Sequence, residues 1–159
     1  MILYHGSNIE VKNPVIIKSE NGRDFGPAFY LTPIKEHAEK WAKKKVIFNH
    51  GGVARVSIFE FDENKTDLIT KVFPKADIEW LEFIILHRRD PKAKHGFDIV
   101  EGKIADDSVG ETVNYVLVGV MRKEDAVERL KFQEINYQFA FCTEKSLTHL
   151  LFKGSYEVE

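Results

Sequence analysis

Two short stretches of the chain place a chemically versatile side chain beside glycine. In Tyr4-His5-Gly6-Ser7, a histidine ends a predicted strand and precedes a predicted turn. Phe25-Gly26-Pro27 predicts a shaped loop whose backbone can approach a ligand, because glycine is conformationally permissive and proline fixes one dihedral. A histidine before a turn more often has a structural role, so the first stretch alone does not establish a site.

The second stretch runs directly into a predicted strand and a predicted helix. Ala28 to Leu31 has the aromatic content of a short strand, and Thr32 followed by Pro33 is typical of an N-cap and a first helical position. Apolar residues at helical spacing then predict a helix from Ile34 to about Val46. We therefore expect the segment from Gly22 to Trp41 to form the centre of a ligand site.

The remaining predicted elements do not alternate strictly between strand and helix. Apolar alternation favours strands, and apolar residues three or four apart favour helices. Strands are predicted at Ile2–His5, Val15–Ile17, Val53–Phe61, Phe97–Val100, Tyr137–Phe141 and Phe152–Val158. Helices are predicted at Asp77–Arg89, Val109–Met121, Lys123–Leu130 and after a Thr143 cap, and a loop is predicted from Asp62 to Pro74. This order predicts an α+β fold with a mixed or antiparallel sheet.

Length and composition limit the class of protein. With 159 residues, 43% of them hydrophobic, residues 1–159 are expected to form a single domain. The 23 basic and 25 acidic side chains give a net charge of -2, so no global attraction to nucleic acid or acidic membranes is expected. The chain has no signal-peptide pattern and no apolar run near the roughly 18 residues of a bilayer span. We expect a soluble cytoplasmic protein without a membrane partner.

Other kinds of site find little support in the sequence. The single cysteine, Cys142, excludes an internal disulfide, and its apolar neighbours predict a buried strand residue rather than a nucleophile. The six histidines lack the spacing of a metal-ligand set, and no P-loop or dinucleotide fingerprint is present, so no metal is expected. Four lysines are predicted to form a solvated helix face: Lys40, Lys43, Lys44 and Lys45. If the protein has a nucleic-acid target, these lysines are where it would bind.

Together, the two stretches resemble the ADP-ribosyltransferase superfamily, in its diphtheria-toxin and poly(ADP-ribose) polymerase branch with the H-Y-E signature. The resemblance implies that His5 hydrogen-bonds the adenine-side ribose of NAD, that the Gly6 backbone binds the nicotinamide amide, and that Tyr30 stacks on nicotinamide. It implies catalytic roles for His5, Tyr30 and Gln138, and an NAD-binding set of His5, Gly6, Ser7, Phe25, Gly26, Tyr30, Thr32, Trp41 and Asp106.

Two positions of the implied site leave alternatives open. Trp41 matches a second aromatic residue that the family often carries on the following helix, and a core position on an amphipathic helix explains it equally well. The family's third residue is normally glutamate, whereas Gln138 can hold a ribose hydroxyl but cannot accept a proton or supply charge. Asp106 or Asp107 could supply the missing carboxylate, although helix capping is their more usual role.

More narrowly, the whole chain resembles the DUF3990 family of small bacterial proteins. The shared motifs are YHGS, DFGPAFYLT, the helix ending in Trp41-Ala42, FDIVEGKIADD and QFAFCTEKSL. This resemblance implies split ADP-ribosyltransferase-like sheets, NAD as substrate, single transfers to a protein or nucleic-acid acceptor, and a toxin restrained by a small antitoxin protein. The alternative is a catalytically inactive module that binds NAD, ADP-ribose or a partner, which the glutamine at position 138 favours.

Overall fold

A computed structural model describes residues 1–18, 22–64, 67–104, 107–131 and 136–159 of the protein. Within these ranges it contains seven strands and five helices, so the predicted α+β class is confirmed. In chain order they are β1 (Ile2–Ser7), β2 (Phe29–Leu31), α1 (Lys35–Phe48), β3 (Arg55–Phe61), β4 (Thr70–Phe73), α2 (Ile78–Arg89), β5 (Ile99–Ile104), α3 (Asp107–Leu117), α4 (Lys123–Leu130), β6 (Asn136–Phe141), α5 (Glu144–Leu147) and β7 (Leu150–Glu157).

The strands form two sheets that meet close to the candidate site. The first sheet has the order β1-β3-β7 and is antiparallel. The second has the order β2-β6-β5-β4, with β4 and β5 parallel and the other neighbours antiparallel. Tyr4 and Thr32 join the two sheets by exchanging backbone hydrogen bonds of 2.8 and 2.9 Å. His5 and Tyr30, which neighbour this junction in sequence, are thereby brought close together.

An aromatic core fills the space between the sheets. Side chains alternate across a strand, so Phe29 and Leu31 enter this core while Tyr30 between them faces the other side of the second sheet. The buried members of the core are Leu3, Phe29, Leu31, Phe59, Phe61, Ile99, Phe139, Phe141 and Leu147. Tyr30 therefore sits on a strand whose two neighbouring side chains fix its position by burial.

The other face of the second sheet is covered by α2, α3 and α4. Trp80 of α2 is wholly buried there, and its indole Nε1–H donates to the carbonyl oxygen of Lys103 at 2.6 Å. Asp77 caps α2 by accepting from the Trp80 amide. Val100 and Ala140 complete this second core from the sheet side. A buried helical layer thus packs against the strands that carry Tyr30 and Gln138.

Helix α1 packs against β1 at a position where a side chain would not fit. A Cβ atom on Gly6 would lie 2.0 Å from the carbonyl oxygen of Ala38 and 2.9 Å from the backbone nitrogen of Ala42. Both alanines are buried, so small residues on both elements permit this close approach. Gly6 therefore positions α1 beside His5.

A Gly6→Ala substitution is expected to lower the free energy of unfolding by about 3 kcal/mol, because the new methyl group would strike backbone atoms that cannot rotate away. Urea unfolding measures this change. Gly51→Ala is the matched control, since a Cβ there meets nothing within 4 Å, and its effect should stay within about 0.5 kcal/mol. Equal stability of the two variants would contradict close packing of α1 on β1.

The predicted start of α1 was wrong. The helix begins at Lys35 with Ile34 in the N-cap position, and no side chain caps it. Thr32 is extended instead, because its backbone pairs with Tyr4. Its hydroxyl donates to the carbonyl oxygen of Tyr137 at 2.8 Å and accepts from the Ile34 amide at 3.1 Å. Thr32 therefore joins β2 to β6 rather than beginning a helix.

Other boundaries also differ from the predictions. β1 runs on through Gly6 to Ser7, so His5 is inside the strand rather than at its end. The predicted loop from Asp62 to Pro74 contains β4, and the extended piece near Ile17 is a single bridge to Ala28. These short segments owe their conformation to partners distant in sequence.

Candidate functional site

His5 is held between the aromatic core and the backbone of β2. Its ring stacks on Phe29 at a centroid distance of 4.3 Å, and its Nδ1 lies 2.7 Å from the carbonyl oxygen of Tyr30. A carbonyl oxygen can only accept, so Nδ1 carries the proton and donates. Nε2 is then a hydrogen-bond acceptor, and it has no partner among the described residues. His5 therefore presents an acceptor suited to a ligand hydroxyl.

Burial lowers the pKa of His5 from 6.5 to about 4. The bond to Tyr30 raises the pKa in part, while the positive charges of Lys45 and Arg23 lower it further. The imidazole is consequently neutral near pH 7, and the tautomer fixed by Tyr30 is the form that a ligand meets.

The His5 pKa predicts how stability depends on pH. In the unfolded chain His5 binds a proton as the pH falls below about 6.5, whereas in the folded chain it binds one only near pH 4. Stability therefore falls as pH decreases through this window, and we expect His5 to account for a loss of about 2 kcal/mol between about pH 7.5 and pH 4.5. Urea unfolding of the wild type and of His5→Asn at both values isolates this contribution. An identical pH dependence of the two proteins would contradict it.

Tyr30 is fixed by the loop that precedes it. Its hydroxyl donates to the carbonyl oxygen of Gly26 at 2.5 Å and accepts from the Phe25 amide at 3.2 Å. Burial raises the pKa of the phenol, so Tyr30 stays protonated and keeps the bond to Gly26. The ring is half-buried, and the guanidinium carbon of Arg23 lies 5.6 Å from its centroid. One face of this ring can therefore attract a planar cation.

The loop around Gly26 is anchored to α2 and the segment after it. Gly26 has a φ of 85°, which favours glycine, and an added Cβ would lie 3.3 Å from the His87 ring. Asp24 forms an ion pair with Arg88 at 2.7 Å. The Phe25 side chain is wholly buried, so only the backbone of this predicted site residue can face a ligand. These contacts fix the loop that holds the Tyr30 hydroxyl.

Gln138 lies on the strand next to Tyr30 and shares its face of the sheet. Tyr30 stands opposite Ala140 in the β2–β6 pair, and Gln138 is two residues farther along β6. Such diagonal neighbours are about 7–8 Å apart. Gln138 is only 9% exposed, and its amide has no hydrogen-bond partner among the described residues. An unpaired amide in a largely buried position is well placed to bind a polar ligand group.

The backbone N–H and C=O groups of Gly6 point to the edge of β1 that faces β2. Tyr4 uses its N–H and C=O to bond Thr32, on the side of β1 that faces away from β3. Main-chain groups alternate along a strand, so Gly6, two residues later, points its N–H and C=O to this same edge. The bridge to Thr32 is antiparallel, so Gly6 lies alongside Tyr30 of β2, and the described residues show no backbone hydrogen bond between the two. The Gly6 edge can therefore hydrogen-bond a carboxamide.

Two cations that the sequence did not place in the NAD site lie near His5. Arg23 and Lys45 both lower its pKa, and Lys45 itself has a lowered pKa because of burial and the charge of Arg23. Neither forms an ion pair with a carboxylate in the part of the chain that the structure describes. The prediction of a solvated lysine face is thus wrong for Lys44 and Lys45, which are half-buried. The two charges form a position suited to an anion.

Trp41 does not belong to the core. It is 42% exposed, and the Nζ of Lys45, one turn later, lies 5.5 Å from its ring centroid. The core interpretation of Trp41 is therefore excluded, while its role towards a ligand stays a prediction.

A family model described as protein of unknown function, DUF3990, matches residues 1–152 of this chain. The chain belongs to the DUF3990 family. No curated protein and no solved structure matches it. The family match extends from β1 into β7, so it includes His5, Tyr30 and Gln138.

The remaining predicted positions of this DUF3990 chain are less informative. Ser7 ends β1 opposite Arg55, Asp106 lies outside the described residues, and Asp107 begins α3. Cys142 directly follows β6 and is partly exposed rather than buried within the strand, and burial raises the pKa of its thiol to about 12. A thiol with this pKa is a poor nucleophile at neutral pH.

The DUF3990 protein has two surface depressions whose lining includes none of His5, Tyr30 and Gln138, although Gly22 and Asp24 line the first. One, of about 510 Å³, is lined by residues that include Arg88 and Asn114, and another, of about 350 Å³, by residues that include Glu60 and His149. Across the described ranges, no cluster of three or more His, Cys, Asp or Glu side chains could hold a metal ion. Nor does any described helix have the length and apolar character that crossing a bilayer requires.

Proposed function

We propose that this DUF3990 protein is an NAD-dependent mono-ADP-ribosyltransferase, which moves ADP-ribose from NAD to a macromolecule and releases nicotinamide. The observation that carries the proposal is that three residues in the order of the H-Y-E signature lie on adjoining strands where the two sheets meet. His5 is hydrogen-bonded to the backbone of Tyr30, and Gln138 is on the strand paired with that of Tyr30. The ADP-ribosyltransferase-like arrangement of split sheets is part of the same proposal.

Each residue of the junction has a defined task in this proposal. The Nε2 of His5 accepts a hydrogen bond from a hydroxyl of the adenine-side ribose, since Nδ1 is already bonded to Tyr30. The Gly6 backbone binds the carboxamide of nicotinamide. Because the nicotinamide ring of NAD is a planar cation, it can replace the Arg23 guanidinium over the Tyr30 ring. Thr32 contributes by fixing β2 to β6.

Arg23 and Lys45 supply the charge that a dinucleotide requires. The two phosphates of NAD carry negative charge, and both cations lie near His5 without a described carboxylate partner. A guanidinium displaced from Tyr30 remains on the same side of the site, where it can bond a phosphate oxygen in a fork geometry. The half-buried position of Lys45 strengthens its attraction to an anion, because less solvent screens it.

The proposed reaction needs little covalent help from the protein. The bond between ribose and nicotinamide breaks with its electron pair moving to the cationic ring, which leaves as neutral nicotinamide. The acceptor nucleophile then attacks the positively charged ribose carbon and loses a proton. Gln138 can orient the ribose hydroxyl but adds no charge, so we expect single transfers to an acceptor that is already a good nucleophile. By resemblance, the setting is a bacterial toxin restrained by a small partner protein.

Incubation with NAD labelled in the adenine ring, together with a cell lysate, tests the proposal. Nicotinamide release and label entering protein or nucleic acid support transfer, and a His5→Asn variant provides the matched control. Tight NAD binding without any nicotinamide release would contradict the enzymatic function.

The second candidate is a binding module that holds NAD or ADP-ribose in the same site without cleaving it. The uncharged side chain of Gln138 favours this alternative, because no described carboxylate replaces the glutamate of the signature at this position of β6. Calorimetry would then give NAD affinity in the absence of turnover. The two candidates share the ligand and differ in whether the glycosidic bond breaks.

A further inference from the structure

We propose that the exposed face of α1 binds a single strand of nucleic acid, which presents the acceptor group to the site. The role of the strand as acceptor rests on the proposed transferase function, whereas binding of the strand to α1 does not. We call this surface the α1 face and define it by its exposed residues Lys40, Trp41, Lys43, Ile47 and Phe48.

The helical spacing of α1 separates a packed side from this face. Ala38 and Ala42 are buried where α1 meets Gly6 of β1. At 100° per residue, Lys40 and Ile47 point away from the two alanines, whereas Lys45 lies about 20° from Ala38, on the packed side. Exposure follows this geometry, since Ile47 is 70% exposed and Lys45 half-buried. The α1 face is therefore open to solvent along most of the helix.

Positive charge on the α1 face is not neutralised locally. Lys40 and Lys43 of this face, and Lys45 beside it, form no ion pair with a carboxylate in the described ranges, whereas Lys35 at the start of the helix pairs with Glu39. The whole chain carries a net charge of -2, so this concentration of cations is a local feature. Lysines without an ion-pair partner on one side of a helix can contact the phosphates of a nucleic-acid backbone.

Aromatic side chains on the same face distinguish a single strand from a duplex. Trp41 is 42% exposed and Phe48 is 66% exposed, and they lie seven residues apart on one side of the helix. Exposed aromatic rings can stack on unpaired bases, which a duplex keeps inside its helix. Lysines interleaved with stacking rings are the combination that single-stranded nucleic acid requires.

The α1 face continues into the proposed NAD site. Lys45 contributes to the lowered pKa of His5, and its ammonium group also lies over the Trp41 ring. A strand on Trp41 would thus lie next to the ribose of bound NAD. This continuity and the charge favour nucleic acid over a protein acceptor.

Fluorescence anisotropy with labelled DNA and RNA strands of roughly 20 nucleotides, and with the matching DNA duplex, tests the surface. We expect at least one single strand to bind more tightly than the duplex. The K40E/K43E variant should weaken that binding by about 10-fold or more, and should flatten the slope of log affinity against log salt by about 1.4. Trp41→Ala with Phe48→Ala should weaken single-strand binding by about 10-fold or more. Tighter binding of the DNA strand or of the RNA strand shows which of the two nucleic acids the protein prefers.

The matched control is K75E/K92E, which changes the net charge equally at two exposed lysines flanking α2. Its affinity should stay within about twofold of the wild type. Equal weakening by both charge variants, equal binding of strand and duplex, or no strand binding would overturn the proposal. Strand binding without nicotinamide release would count against the transferase function alone. Nicotinamide release with label on protein and no strand binding would count against the α1 face alone.

Discussion

A His5→Asn substitution is expected to lower the rate of nicotinamide release from NAD by about 100-fold or more, while the protein still folds. The asparagine amide can take the place of Nδ1 and donate to the Tyr30 carbonyl oxygen, which His5 meets at 2.7 Å. No atom of asparagine reaches the position of Nε2, so the ribose hydroxyl loses its acceptor. Chromatographic measurement of released nicotinamide gives the rate, and urea unfolding checks the fold.

His5→Gln is the complementary control for this prediction. Its longer amide can place an oxygen near the Nε2 position, yet it cannot also donate to Tyr30 from the Nδ1 position. We expect His5→Gln to release nicotinamide about 10-fold faster than His5→Asn does, and to have a lower free energy of unfolding than His5→Asn. If His5→Asn released nicotinamide at the wild-type rate, Nε2 would have no role in binding the ribose.

The fold was most predictable where one segment carries its own signal. Helix α2 has apolar residues on one face and an Asp77 cap, and α4 occupies the predicted range Lys123–Leu130. Thr143 caps α5 with a reciprocal bond to Ser146, as its hydroxyl suggested. Such elements are specified by neighbours within a few residues.

Sequence reasoning failed where distant partners decide the conformation. β4 is four residues long and exists through parallel pairing with β5, so the sequence around Thr70–Phe73 resembled a loop. Thr32 has the composition of an N-cap, but pairing with Tyr4 keeps it extended. In both cases tertiary hydrogen bonds outweigh a local preference.

The candidate site also combines features that the sequence predicts with features that only the tertiary contacts decide. The order His5, Tyr30 and Gln138 is visible in sequence, and the strands bring these positions to one junction. The partner of His5 is a peptide carbonyl, which has no residue type to recognise. Lys45 resembled its neighbouring lysines until packing of Ala38 and Ala42 showed which side of α1 faces the first sheet. A signal was present in those two alanines, four residues apart.

Replacing Gln138 by glutamate is expected to accelerate nicotinamide release by about 10- to 100-fold. The positive charge that develops on the ribose carbon gains a carboxylate partner, whereas the wild-type amide offers a dipole alone. Burial at this 9% exposed position should raise the pKa of the new carboxyl group. The gain should therefore grow with rising pH as the carboxyl ionises. Initial rates of nicotinamide release between about pH 5 and pH 8 measure both effects.

The wild type supplies the reference for this pH profile. Gln138 does not titrate, and His5 stays neutral down to about pH 4, so neither residue should make the wild-type rate vary across that range. Gln138→Met is the control for shape, since it keeps the length of the side chain and removes its polar atoms; it should release nicotinamide more slowly than the wild type. If glutamate slowed the reaction as much as methionine does, charge at position 138 would not limit the chemistry. If glutamate conferred release on a wild type that only binds NAD, the uncharged Gln138 would be what separates a binding module from a transferase.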